Sequence, residues 1–442
     1  MRRAPHRFHL TRRTVLQHAV PWVLGPPLMR VAERAARAGR PTTRATGLPA
    51  VAVTRGPSHH FFGYYDKCPW DRTGRRLLAM RIGFWNRQPR PGETLTVGLV
   101  DLDDDNRYVP LDTTPAWCWQ QGTMLQWLGP AADREVIFNS VCDGAYVAVV
   151  RDVRTGRTRI LPKPVYAVSA DGRQAVSLDF DRLHRVRPGY GYMAIPERHR
   201  DVAAPADAGI YWMDLASGRN RLIIPLEWAA RNRPDDRFRD AHHWFNHLQF
   251  NPSGTRFIFL HRWGDPGRRW ATRLYTARPD GSDIRLHSDT GMVSHFDWRD
   301  DDTILAWCTV RPRTDRFCLF HVGADRQEVL GEGVLAQDGH CSYSPDRRWI
   351  LCDTYPDRDN LQHLFLYRVA DGKRFDIGAC YMPPSARGTP FRCDLHPRWN
   401  RDGTQVCIDS AHEPTRQIYV IDVRPITRQA VASSANARGA AR

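Results

Sequence analysis

An all-β protein, a seven-bladed β-propeller with an insertion between blades three and four, is the fold class this sequence predicts. The first observation is a unit of strand, polar turn and apolar strand that recurs seven times: "YYDKCPWDRTGRRLLAMR", "MLQWLGPAADREVIFN", "VYAVSADGRQAVSLDF", "HLQFNPSGTRFIFLH", "HFDWRDDDTILAWC", "HCSYSPDRRWILCD" and "HPRWNRDGTQVCID". The second is that each copy is followed by a third strand, such as "GIYWMDL" or "QIYVIDV". The third is spacing. The turns fall near Gly74, Asp133, Gly172, Gly254, Asp302, Arg347 and Gly403, irregularly around the roughly 40–50 residues of a four-stranded blade.

The elements follow in chain order. Residues 1–45 form a leader in which "LTRRTVLQHAVPWVLGPPLM" sets Arg12 and Arg13 ahead of a short apolar stretch. This resembles a twin-arginine export signal, with "ARA" at 36–38 as its cleavage site, and implies a periplasmic or secreted protein. The propeller is expected over 46–425, with "VAVTRG" (51–56) closing the ring against the last blade. The widest gap between turns holds the insertion, with "RPGYGYMAIPERHRD" and a predicted helix, "LEWAARNRPDDRF". Residues 426–442 are expected to form a disordered tail.

Composition narrows the partners. The chain has 442 residues and 15 tryptophans, enough apolar and aromatic material for a large core. Its net charge is +16, and lysine occurs only at Lys67, Lys163 and Lys373, so the positive charge is almost wholly arginine. Compositional bias accounts for part of this. The planar guanidinium fork also suits carboxylates and sulfates. With no lysine-rich tract and no nucleic-acid signature, an acidic glycan is favoured over nucleic acid. No apolar run is long enough to span a membrane. The ten cysteines include no CxxC pair and suggest small core residues rather than a disulfide framework.

Four histidines share one register. Counting back seven residues from Gly254, Asp302, Arg347 and Gly403 gives His247, His295, His340 and His396. All four fall on innermost strands, which line the central channel, so their rings should converge. One such histidine alone is most simply a packed residue. Four in register point to a site for a divalent ion such as Zn²⁺ or Mn²⁺, with Asp394 as a helper. Cys341 and Cys393 are candidate thiolates, which would favour zinc. Two arrangements stay open: all four ligate, or three ligate and His247 remains free as a base.

The phrases "HLQFNPSGTRFIFLHRW", "SHFDW" and "DLHPRW…DGTQVCIDSA" resemble the metal-binding blades of oligogalacturonate lyases, seven-bladed propellers that cleave uronic-acid chains with a divalent cation. "HHFFGYYDKCPWD", "WQQGTMLQW" and "SLDFDRLHRVRPGYGY" are more similar to propeller ulvan lyases, which act on a sulfated polyuronide. Together these cover most of 57–422. The ulvan lyase resemblance implies a catalytic tyrosine sixteen residues before a carboxylate-neutralising arginine, the spacing of Tyr166 and Arg182. Where that family has two histidines, this chain has Gln120 or Gln121, and Asn139. The oligogalacturonate pattern instead makes His247 the base and sets the metal on His295, His396 and neighbours.

The function these features imply is an exported polysaccharide lyase that cleaves an acidic glycan by β-elimination. That chemistry needs a base, a proton donor and positive charge to stabilise the enolate. Either Tyr166 or His247 would serve as base, and Arg182 or the metal would supply the charge. His60, Tyr65, Tyr192 and Arg262 are candidate substrate contacts, although Tyr166 could pack between blades and "RPGYGY" could be a tight turn. Tyr166 lies six residues before its turn and the histidines seven, so it faces away from them unless a bulge intervenes. The alternative is a non-catalytic TolB- or WD40-like propeller that binds a protein or glycan.

Overall fold

The computed structural model describes residues 47–428, apart from 236–240, 267, 311–313 and 325. The expected leader and nearly all of the expected tail therefore lie outside the described residues. A short helix, Arg424–Thr427, carries the described chain past the boundary expected at 425.

Seven four-stranded antiparallel sheets follow one another along the chain. Six are built from four consecutive strands. The last combines Arg398–Trp399, Gln405–Ser410 and Gln417–Asp422 with the N-terminal strand Ala50–Ala52, which sets Ala50 opposite Ile421. The stretch expected to close the ring does so.

The turns show why the repeat was visible. Ser169 Oγ bonds the Asp171 carboxylate and receives the Gln174 amide; Ser344 and Asp346 repeat the arrangement in blade six. Asn251 and Asn400 accept the amides that begin the next strand. These side chains satisfy the reversing backbone, and glycine takes the left-handed corner, as at Gly254 with φ 72°. The strands that follow are apolar because both faces are covered by neighbouring sheets; all eight residues of Phe257–Gly264 are buried. The core lies in the seams between blades, so one cluster draws on blades two, three and four.

The insertion is placed differently from expectation. Its long segment, 178–208, lies inside blade three, between strands Gln174–Ser177 and Gly209–Asp214. Residues 226–241, which include the helix Leu226–Asn232, lie between blades three and four. A second short helix, Phe180–Val186, opens the inserted segment. In an antiparallel blade the loop between second and third strands emerges at the end where the innermost strand begins. The insertion and the four histidines therefore share one end of the ring.

The segment Gly63–Cys68 plugs the channel. Tyr64 touches rings from His247, His340 and His396, on blades four, six and seven, which places it at the axis. Tyr65 Oη donates to the Phe296 carbonyl of blade five and accepts its amide, at 2.8 and 3.0 Å. Gly63 has φ 117°, and a β-carbon there would come within 2.9 Å of the Gln121 backbone, so only glycine admits this close crossing.

Candidate active site and metal centre

His340 is held from behind. Its amide donates to Asp353 at 2.7 Å, and its Nδ1 meets both carboxylate oxygens at 2.9 and 3.0 Å. His295 Nδ1 likewise meets Asp338 at 2.9 Å. Fixing Nδ1 as the protonated nitrogen leaves Nε2 with its lone pair, the arrangement carboxylates impose on metal-binding imidazoles. The rings of His295 and His340 are 4.1 Å apart, and those of His340 and His396 are 4.3 Å apart.

His340 Nε2 and both nitrogens of His396 are buried without a hydrogen-bond partner. Such groups are costly unless something binds them. Ligand atoms of His340, Asp394 and His396 lie within 4.8 Å of one another, a possible metal-binding triad, with His295 flanking. Cys341 and Cys393 are not part of this group, so the donors are nitrogen and oxygen. That set fits Mn²⁺ or Zn²⁺ without a thiolate preference. His396 holds φ at 43°, a strained conformation for a non-glycine residue.

His247 stands apart from the triad. Tyr64 lies between them, stacked on His247 at 4.9 Å and 10° and edge-on to His396 at 4.9 Å. Of the four rings in one register, three come together and the fourth, His247, is separated from them by the Tyr64 ring. His247 Nδ1 lies 3.2 Å from Tyr166 Oη and 3.4 Å from Gln121 Nε2, and its Nε2 lies 3.4 Å from Tyr64 Oη. Gln121 also donates to Tyr166 Oη, and the His247 amide donates to the same oxygen at 3.1 Å. The blade-four strand slips register between Asn246 and Gln249, with His247 at φ 51°. This bulge is what lets Tyr166 and His247 meet despite their different phases. Burial, then the charges of Arg262 and Arg187, push His247 well below the ordinary imidazole range, which keeps it neutral.

Several sequence candidates have other roles. Burial raises Tyr166 well above its usual range, which favours its protonated form. Arg182 is not beside it. All five guanidinium donors are used: Nε on the His243 carbonyl, Nη1 on Glu197 and the His199 carbonyl, Nη2 on the carbonyls of Val202 and Ala203. Nothing remains to neutralise a substrate carboxylate. Arg182→Met is therefore expected to lower folding stability by about 1–3 kcal/mol, measured by denaturant titration, while metal affinity stays unchanged. A loss of metal affinity at wild-type stability would contradict this.

Asn139 clamps blade three, accepting the Val165 amide and donating to its carbonyl and to Tyr192 Oη. Tyr192 is itself core, stacked on Phe180 at 4.1 Å. Gln120 holds the carbonyls of Pro390 and Arg392. His60 pairs with Gln417 in the seam between blades one and seven, away from the axis. Tyr65 touches the His340 ring at 5.3 Å, but its hydroxyl is spent on Phe296. These side chains hold the site together, because each hydroxyl and amide nitrogen already has a protein partner.

Arg262 differs. It is 3% exposed, its Nε and Nη1 have no partner, and no carboxylate pairs with it among the described residues. Burial first, then Arg187, bring it down to about 9. A buried guanidinium with no carboxylate among the described residues is suited to receive an anion. Register gave no sign of Arg187 and Arg392, which lie in loops. Arg187 stacks at 4.3 Å over the Tyr190 ring, and Arg392 Nη2 donates to Tyr190 Oη at 3.0 Å. Arg392 Nε lies 2.8 Å from Asp394, joining this group to the triad.

No family model and no curated protein matches the chain. Among solved structures, an oligogalacturonate lyase from Vibrio parahaemolyticus aligns with TM-score 0.61 and 12% identity, over 86% of this chain and 95% of that one. An oligogalacturonate lyase in complex with manganese aligns with TM-score 0.62 and 15% identity, over 86% and 94%. TolB from Acinetobacter baumannii aligns with TM-score 0.38 and 15% identity, over 69% and 64%. At these identities the first two likenesses show the seven-bladed fold alone.

Proposed function

We propose that this protein is an exported polysaccharide lyase that cleaves uronic-acid-containing glycans by β-elimination with the help of a divalent cation. One observation carries the reading. A buried donor set, His340, Asp394 and His396, with unpartnered nitrogens, lies across Tyr64 from His247, beside which Arg262 is buried with no carboxylate partner among the described residues. Cation and guanidinium together supply what an acidic sugar lacks: positive charge on its carboxylate. Two lyases of this architecture, one of them holding manganese, support the assignment.

His295, His340, His396 and Asp394 would hold the ion, which when bound would act as a Lewis acid on the uronate carboxylate. Arg262 binds the same anionic group from the blade-four side. His247, neutral and in the tautomer that carries its proton on Nδ1 toward Tyr166 Oη, takes the proton from the carbon beside the carboxylate at Nε2. Tyr64 stacks on His247 and fixes its plane. Tyr166→Phe removes the orienting hydroxyl and is expected to lower kcat/KM roughly 10- to 100-fold with metal affinity unchanged.

The direct test is ultraviolet absorbance of unsaturated uronates on incubation with oligogalacturonate, ulvan and glycosaminoglycan, with Mn²⁺ and with chelator. Silence on all three in the presence of Mn²⁺ would remove the lyase reading. Arg262→Met gives a second check. Removing an unpaired buried charge is expected to leave stability unchanged or raise it by up to about 2 kcal/mol, while KM for the acidic glycan rises at least tenfold. A stability loss with unchanged KM would show that Arg262 serves the fold.

A further inference from the structure

The elimination proposed above names a base and a charge-neutralising pair but no donor for the departing oxygen. The carbon that loses the proton and the carbon that loses the oxygen are neighbours, so the acid must flank the same sugar ring as the base. Among the described residues five tyrosines surround His247 or the triad; Tyr355 lies on the triad side, its ring 5.9 Å from His340, and flanks the metal ligands rather than the base. Tyr65 has its hydroxyl on the Phe296 backbone, and Tyr166 gives its proton to Asn246 Oδ1 while it accepts from Gln121 and the His247 amide. Tyr64 is stacked between His247 and His396. Tyr190 remains. It comes from the inserted segment, and its ring stands edge-on to His247 at 5.6 Å and 88°.

We infer that Tyr190 is the general acid of this elimination, its hydroxyl held by Arg392 between the metal triad and His247. This rests on the lyase reading. As His247 takes the proton from carbon, the electron pair forms the new carbon–carbon double bond and the carbon–oxygen bond breaks. The Tyr190 proton passes to the departing oxygen, which leaves as a sugar hydroxyl. The tyrosinate left behind faces the Arg392 and Arg187 guanidiniums, and exchange with water returns the proton to Tyr190 and removes the one on His247.

The charge environment agrees with the geometry. Burial opposes ionisation of Tyr190, but Arg392 and Arg187 outweigh it and bring the hydroxyl down to about 8. Tyr64, Tyr65 and Tyr166, without such partners, are pushed well above the ordinary range by burial. A donor close to working pH is the one suited to proton transfer. The insertion thus brings a catalytic group to the end of the ring where the histidines already lie.

The experiment varies the leaving group. Tyr190→Phe is compared with wild type, both with Mn²⁺, on an oligogalacturonate and on a methyl galacturonoside carrying 4-nitrophenol at O4. A sugar hydroxyl needs a proton to depart; nitrophenolate does not. The expected result is a loss in kcat/KM of about 10²–10⁴-fold on the oligosaccharide, with the aryl substrate within a few fold of wild type and Mn²⁺ affinity unchanged. Equal losses on both substrates, or none on the oligosaccharide, would overturn the role of Tyr190 while leaving the lyase reading intact. If wild type forms no unsaturated uronate from any of the three glycans and releases no nitrophenolate, the lyase reading itself falls, and the acid with it.

Discussion

His396→Ala is expected to weaken Mn²⁺ binding at least about 100-fold, because even residues behind the ligands typically contribute 10- to 100-fold. His396 is the residue to remove because both its nitrogens lack partners and it is wholly buried, so the fold makes no other hydrogen bond with it. Its left-handed backbone carries a β-carbon in either residue, so the substitution leaves that strain unchanged. Stability without metal should therefore hold or rise. Activity should fall by about 10³-fold or more, since a Lewis acid on the carboxylate contributes several kcal/mol. Titration calorimetry with Mn²⁺ reads the first effect and product absorbance the second. Asp353→Asn, which disturbs only the orientation of His340, should give the milder 10- to 100-fold loss. Unchanged Mn²⁺ affinity in His396→Ala would remove the metal centre from this end of the propeller.

Asp409→Ala is expected to destabilise the fold by about 3–5 kcal/mol, the cost of leaving buried charge uncompensated. Asp409 is fully buried and pairs with two arginines that are almost equally buried, Arg398 and Arg416, each at 3.2 Å. The same carboxylate accepts the amides of Phe62 and Gly63. Arg398 in turn donates to the Gly63 and Tyr64 carbonyls at 2.6 and 3.1 Å. One carboxylate thus ties blade seven to the segment that plugs the channel. Its loss should lower the denaturant midpoint and also weaken activity, because Tyr64 fixes the plane of His247. A wild-type midpoint in Asp409→Ala would show that solvent reaches this cluster and that the plug is held by other contacts.

The two halves of the site were unequally legible in sequence. The histidine register was visible because each blade begins its innermost strand at a fixed distance from a turn whose Ser, Asp, Asn and Gly are dictated by backbone geometry. Tyr166 was legible as a neighbour of the site but not in its role, since its bond to His247 depends on a bulge. Arg182 failed as a candidate for a different reason. Its spacing from Tyr166 was right, but spacing says nothing about which carbonyls and carboxylate will capture five guanidinium donors. Tyr192 and His60 were misassigned in the same way, as aromatic or polar residues that proved to be partners of the fold. Arg262 could be named from sequence, yet its significance lies in lacking a partner, which only coordinates reveal.

Local periodicity, then, was enough to determine the seven blades, the closure by the N-terminal strand and the gathering of His295, His340 and His396 near the axis. These follow from short-range rules: a polar turn, an apolar strand, a repeat. Tertiary structure decided that Tyr64 separates His247 from the triad, that the long insertion belongs to blade three, and that Arg392 meets Arg187 and Tyr190 of that insertion from a distant loop. Those outcomes rest on long-range contacts and on which buried groups remain unsatisfied, and neither quantity has a period along the chain.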